Sequence, residues 1–432
     1  MKQRLRLAAG LILLVAALAA CSQGGPSGIT VHGTVVDGFG HGFSGATVRI
    51  GSASAASGAD GSFTIDGVST PYDAAVYVAG LRPVIHVFEG LTKADPELQA
   101  LGAVASSMAT MNQGTITGDL SSAVPAGSLA TVCVEGATQP ANDCATVMSG
   151  STSYTLKPQW KSGSSTSVTL HALVAQVDAN GYPTGYDAYG TATGTVTNAG
   201  SAVIDVPLGA APSTATLSGG VTVPSGFFLR ELTVAVAISP TLSFPVFDID
   251  TPPSQSFSSV PVPVLGQGTY AVLAQADPST GGAVAYGWQQ KLAAGGTASL
   301  ALTAPPTQVA PADGATGVGT GDELSVTGAG GNALTFVMAP SSPSGAAPLL
   351  IVTTLASKAT IADLSAFGWT LPATTAYDWG VYVTPTTPTA EDAAAHWYGD
   401  SETALMMRSG YPGSRVDAGT QTSGDTHTFT TR

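Results

Sequence analysis

Short runs of alternating apolar and polar residues recur along most of this chain, the pattern of a half-buried strand. Ile29 to Asp37 reads this way, as do Ala46–Ile50, Thr115–Asp119, Ala202–Val206 and Ala298–Leu302. From Gly58 to Val68 a turn leads into a strand with Phe63 and Ile65 on one face, and Gly38, Gly40, Gly42 and Gly45 punctuate the turn before Ala46. Two stretches break the pattern. Leu7–Ala20 is apolar throughout except for Gly10, and Asp95–Met111 has the spacing of a helix. There Asp95 suits the cap, Pro96 the first helical position and Glu97 the positive end, with Leu98, Leu101, Ala105 and Met108 on one face.

Lys2, Arg4 and Arg6 precede the first apolar run, which is too short for a membrane span and fits a signal-peptide core. It ends Leu18-Ala19-Ala20-Cys21. This resembles the lipobox of bacterial lipoproteins. The resemblance implies cleavage before Cys21, lipidation of its thiol, a stalk over 21–28, and, with Ser22 following, the outer membrane of a Gram-negative envelope. Two or three acyl chains would anchor the protein stably.

Gly33 and Val35, then Gly45, Ala46 and Val48, then Asp60, Gly61 and Phe63 form a spaced set. The set resembles the carboxypeptidase regulatory-like module over residues 29–92, although Gly42 stands where the family commonly has proline. That family implies a transthyretin-like sandwich of about seven strands and no peptidase activity. Residues 93–111 are then expected to be a linker helix.

The next two hundred residues repeat themselves. Thr115–Asp119 returns as Thr216–Gly220, Ala172–Asp178 as Ala271–Asp277, and Tyr189-Gly190 as Tyr286-Gly287. Two β-sandwiches of similar build are expected, over 112–211 and 212–306. The last segment, 307–432, opens Ala310-Pro-Ala-Asp-Gly-Ala-Thr-Gly-Val318 and later carries Leu371, Thr375 and Tyr377 before Trp379 and Val381. It is similar to fibronectin type III and immunoglobulin-like domains. The resemblance implies a Tyr377 hydroxyl bonded back to the chain. Residues 386–418 look like an insertion, with a short helix after Thr389.

Composition supports an all-β reading. Only 10% of residues are charged, with 53 Gly and 28 Pro, whereas long surface helices need Glu, Lys and Arg. Removing residues 1–20 leaves 11 Lys+Arg against 28 Asp+Glu, a balance that excludes nucleic acid as a partner. With Cys21 lipidated, Cys133 and Cys144 remain as an even pair in an oxidising compartment, the setting of a disulfide. Such a bridge would stabilise the fold by about 3 kcal/mol.

Catalytic motifs are missing from the sequence, with no nucleophile elbow, zinc helix or phosphate loop. No cofactor is expected. Asp178-Ala-Asn-Gly181 opens like a calcium loop without its closing Glu, and Asp248 with Asp250 reads as a solvated pair, so no metal site is expected. The remaining handle is aromatic. Trp160, Trp288, Trp397 and Tyr398 are candidates for stacking on a sugar ring, with His396–Tyr398 in the C-terminal insertion.

The expectation is therefore an all-β chain of tandem antiparallel β-sandwich modules after a lipoprotein signal peptide. It would serve as a non-catalytic envelope scaffold, a rod of modules holding a protein or glycan partner away from the membrane. The alternatives are a surface adhesin or carbohydrate binder, and an accessory of an envelope enzyme.

Overall fold

The computed structural model describes residues 28–432 except 38–41, 81–82, 101–110, 137–143, 161–162, 240–241, 251, 253, 267, 280–281, 330–331, 343–346, 385–388 and 396–417. The chain is all-β and divides into four sandwich modules, called N, A, B and C in chain order.

Module N holds β1 (Ile29–Val36), β2 (Thr47–Ile50), β3 (Ala53–Ala56), β4 (Ser62–Val68), β5 (Tyr72–Val78), β6 (Val84–Leu91) and β7 (Glu97–Gln99). They form two sheets, β4-β1-β7 and β3-β2-β5-β6, in which only β1 and β7 run parallel. Val31, Val35, Phe63, Ile65, Val76 and Leu98 fill the space between the sheets. Asp60 and Gly61 turn the chain into β4. Gly61 has φ +82°, and a Cβ there would lie 2.2 Å from the Val35 carbonyl oxygen, so glycine is required. The Asp60 carboxylate accepts hydrogen bonds from the Ser62 hydroxyl and amide at 2.6 and 3.0 Å, and these hold its pKa below the usual carboxylate range.

The helix expected from Asp95 does not start there. Glu97–Gln99 are strand, because β7 completes the sheet beside β1 and extended backbone carries Leu98 into full burial. Helical spacing and the edge of a three-stranded sheet competed for the same leucine, and the sheet won. Residues 101–110 of the expected helix lie outside the described residues.

Module A contains β8 (Asn112–Gln113), β9 (Thr115–Asp119), β10 (Ser128–Glu135), β11 (Cys144–Val147), β12 (Ser153–Leu156), β13 (Gln159–Trp160), β14 (Ser165–Val177), β15 (Pro183–Thr197) and β16 (Ser201–Val203). Module B contains β17 (Thr214–Thr222), β18 (Phe227–Ser239), β19 (Leu242–Asp250), β20 (Ser256–Pro263), β21 (Thr269–Pro278), β22 (Val284–Leu292) and β23 (Thr297–Ala301). Their sheets are β12-β9-β16 with β11-β10-β14-β15, and β20-β17-β23 with β19-β18-β21-β22. The first strand again pairs parallel with the last. Leaving aside the small β8–β13 pair, N, A and B share one seven-strand plan, with strand orders 4-1-7 and 3-2-5-6.

The sequence repeat falls on equivalent strands. Ile116 and Leu217, at matched positions of β9 and β17, are both fully buried. The match between Ala172 and Ala271 is one residue out of face. Ala172 lies in the core of A, whereas in B the inward positions are Val272 and Ala274. The side-chain period is two, so a one-residue slip exchanges the faces.

Module C is a different sandwich. It comprises β24 (Thr307–Ala310), β25 (Ala315–Val318), β26 (Glu323–Thr327), β27 (Ala333–Pro340), β28 (Leu349–Thr354), β29 (Lys358–Thr360), β30 (Ala376–Thr384), α1 (Ala390–Ala395), β31 (Ala418–Ser423) and β32 (His427–Thr431). One sheet is β24-β26-β29. The other contains β28-β27-β30, with β32 beside β30 and β25 running parallel to β32, the arrangement of immunoglobulin and fibronectin type III domains. Tyr377 and Trp379 are buried between the sheets, and the Tyr377 ring stacks on Phe429 at 5.6 Å. The expected corner bond is absent. The Tyr377 hydroxyl meets no hydrogen-bond partner among the described residues, and burial pushes its pKa up to about 12. The short helix expected after Thr389 is α1, capped by Thr389, whose hydroxyl accepts the Asp392 amide at 3.1 Å.

Candidate functional site: the joints between modules

The modules are not strung as separate beads. Strand β6 of N lies beside β28 of C in parallel register, Val84–Phe88 against Leu349–Thr353. Strand β22 of B lies beside β31, Val284–Gln289 against Ser423–Ala418, and β31 continues onto β30. One hydrogen-bonded sheet therefore runs from β19 in B through C to β3 in N. In space, C sits between N and B, although it comes last in the chain.

The N–C joint is polar at its centre. His86 is fully buried, with Nε2 2.8 Å from the Thr353 hydroxyl and Nδ1 3.2 Å from the Gln99 carbonyl oxygen. Thr353 in turn meets Thr335 at 3.1 Å. Burial drives the His86 pKa down to about 3, against a weaker upward pull from the Gln99 bond, so the ring is neutral at ordinary pH. Outward-facing Ile85 is buried in the core of C. A second clasp comes from α1, whose Ala390 and Ala394 enter the core of N. The Glu391 carboxylate accepts hydrogen bonds from the Thr92 hydroxyl at 2.8 Å and from the Thr92 and Lys93 amides. Burial disfavours its charge, but these donors outweigh burial and hold its pKa below the ordinary value. Between the same modules a groove is lined by Arg49, Asp73, Asp363, Leu364 and Phe367, with the Tyr77 and Phe367 rings stacked at 5.7 Å nearby.

Module A meets B by its outer face. Cys133, Leu173 and Tyr186 belong to the same buried cluster as Phe244, Val260 and Val262 of B, and the Tyr186 hydroxyl donates to the Pro261 carbonyl at 2.8 Å. His171 bridges Glu135 at 2.9 Å and the Tyr189 hydroxyl at 2.7 Å. The Glu135 carboxylate resists charge through burial, yet bonds from Ser239 of B and from His171 hold its pKa below normal.

The residues singled out in the sequence mostly serve packing. Cys133 and Cys144 sit directly opposite each other on β10 and β11 and form the disulfide. Trp160 is buried, and its indole N–H donates to the Gly163 carbonyl at 3.0 Å. Trp288 is 3% exposed and packs with Leu273 on the outer face of the B sheet. It therefore offers no stacking surface, which corrects the sugar-binding expectation at that residue. Trp397, Tyr398 and Cys21 lie outside the described residues. Asp178 closes a turn, its carboxylate accepting the Asn180 and Tyr182 amides at 2.8 and 2.9 Å. Asp248 accepts the Thr233 hydroxyl at 3.0 Å. Among the described residues there is no group of three or more His, Cys, Asp or Glu placed to hold a metal ion, and no helix is long and apolar enough to cross a membrane. Sequence reasoning missed His86, Thr353 and Glu391 as joint residues. Their partners lie about 300 positions away, and no local pattern marks such pairs.

Comparison with protein-family models and with curated proteins gives no match. Solved structures give several at low likeness. One is a protein described as a cell-adhesion protein from Bacteroides eggerthii, at 9% identity and TM-score 0.16, covering 44% of this chain and 87% of that one. Another is the major pilin subunit BcpA of Bacillus cereus, at 10% identity and TM-score 0.14, covering 63% and 98%. A third is the FN1–FN3 segment of chicken CNTN1, at 11% identity and TM-score 0.13, covering 59% and 83%.

Proposed function

We propose that this chain is a lipid-anchored, non-catalytic scaffold of the bacterial cell envelope, one that presents binding surfaces on a preassembled body. The observation that carries this reading is the single sheet shared by N, C and B, backed by the His86 and Glu391 contacts. A body stiffened in this way holds its outer surfaces in fixed relation, which suits display better than a chain of freely jointed beads. Asp60 and Asp178 hold turns, and His86, Glu135 and Glu391 hold joints. The leader and Cys21 support the anchor, and the Gly33, Ala46 and Asp60-Gly61-x-Phe63 pattern supports a carboxypeptidase regulatory-like module nearest the membrane. In this reading the partner is a protein or glycan of the envelope or of a neighbouring surface.

Metabolic labelling with a palmitate analogue, with and without Cys21→Ala, tests the anchor. Label on the native chain and none on the variant, with the variant lost from the membrane fraction, is the expected result. Equal membrane recovery of both would overturn it. Protease shaving of intact and permeabilised cells then distinguishes outward display from a periplasmic scaffold.

A further inference from the structure

Modules N, A and B share one plan, so their edges can be compared strand by strand. The sixth strand of N, β6, is covered by β28, and the sixth strand of B, β22, is covered by β31. The sixth strand of A is β15, at 15 residues the longest described strand, and no described strand of module C pairs with it. Its first half packs toward β20 and ends under the 207–209 segment, where the Gly209 amide donates to the Tyr189 carbonyl at 2.9 Å. Backbone groups of alternate residues point to the same side in a strand. Thr193, Thr195 and Thr197 therefore share the outward parity of Tyr189, and of their carbonyls that of Thr197 already accepts the Gly200 amide at 3.0 Å.

Exposed strand edges are normally guarded by shortness, charge or proline. The other outer edges of this molecule follow that rule. Strands β3 and β11 are four residues long, and β19 carries Pro245, Asp248 and Asp250. Strand β15 has such guards, Pro183 and Asp187, only in its first half; its second half is unguarded, because the chain holds no charged residue from Ala188 to Ile204, and no proline either. Its solvent face is Thr191, Thr193, Thr195 and Thr197, all exposed, while Val196 is buried and Gly194 packs on Ile204.

From this we infer that the Thr193–Thr197 edge of β15 is the docking site for the same edge of a second copy of this chain, forming an antiparallel two-fold dimer. An isologous interface must complement itself, and an uncharged threonine edge does. With the axis at Thr195, that residue faces Thr195 of the second copy, and Thr193 faces Thr197. Threonine pairs across antiparallel strands are favourable. The 207–209 segments stay outside the paired window. The dimer does for A what C does for N and B, and the inference stands apart from the question of lipid anchoring.

Sedimentation of the exported chain carrying Cys21→Ser, over a range of concentrations, tests it. A concentration-dependent dimer is expected, with its dissociation constant raised at least tenfold by Thr195→Lys while the circular dichroism and melting of the chain stay unchanged. Mild oxidation of Thr195→Cys is expected to give a covalent dimer, and Thr191→Cys is not. A chain that is monomeric at every concentration overturns the inference. So does a dimer indifferent to Thr195→Lys, or a foreign protein in place of the second copy.

Discussion

Modules A and B use the same seven strands in the same order, yet they are secured differently. B is finished by its neighbours. Its sixth strand pairs with β31, and Trp288 at that strand is buried. A carries exposed Thr191 where B has Trp288, pairs no described strand of C with the second half of β15, and fastens its third strand through Cys133–Cys144. A module built into a larger sheet can draw stability from packing across the joint, whereas one at the outside needs a covalent staple of its own.

Substitution at matched positions gives the sharpest break in this comparison. Trp288→Ala is expected to destabilise B by about 3–5 kcal/mol through the cavity it leaves, whereas Thr191→Ala in A should stay within about 0.5 kcal/mol. Denaturant melts of the two variants measure both, and equal effects would dissolve the distinction. Next in size is the staple. Cys133→Ser with Cys144→Ser should cost A about 3 kcal/mol. Amide hydrogen exchange would then speed up in β10 and β11 and remain slow in β18 and β21. Glu391→Ala leaves the Thr92 and Lys93 amides without their acceptor, at a cost of about 1–3 kcal/mol. Faster exchange at those amides, with B unaffected, is the expected readout.

The smallest effect near neutrality is that of pH on His86. Its folded pKa of about 3 lies below the unfolded 6.5, so the unfolded state binds the proton first. Stability from this site is complete above about pH 6.5 and falls as the pH drops toward 3. Between pH 7 and 6 the loss is under about 1 kcal/mol, and it grows in acid. Replacing His86 by Gln should flatten this part of the stability–pH curve, and an unchanged slope would show that the proton goes elsewhere.

Much of the fold was legible in the sequence, for a physical reason. Alternation with a period of two marks a strand wherever one face is buried, and it located β1, β4, β9, β16 and β23. The paired cysteines and the short helix after Thr389 were local signals too. What escaped was non-local. Nothing in Val84–Phe88 announces Leu349–Thr353 as its neighbour, because strand pairing is made by backbone groups that every residue carries. Leu98 was misread because it fits a helical face as well as a strand, and only the vacant edge beside β1 decides between them. The common plan of N with A and B was also invisible, since topology survives where side chains do not. Of the candidate site, the aromatic residues were legible as residues but not as surface. Trp160 and Trp288 prove to be packing groups, and only their surroundings reveal it.

The reach of the N–C joint bears on the order of assembly. His86 and Thr353 are 267 residues apart, and Thr92 and Glu391 are 299 apart. A chain made from its N-terminus presents module N before module C, but Ala390 and Ala394 of the core of N arrive only with C. Contacts of such separation form late and slowly. Module N is thus completed only after C has formed, and until then β6 is an open, apolar edge that needs shielding.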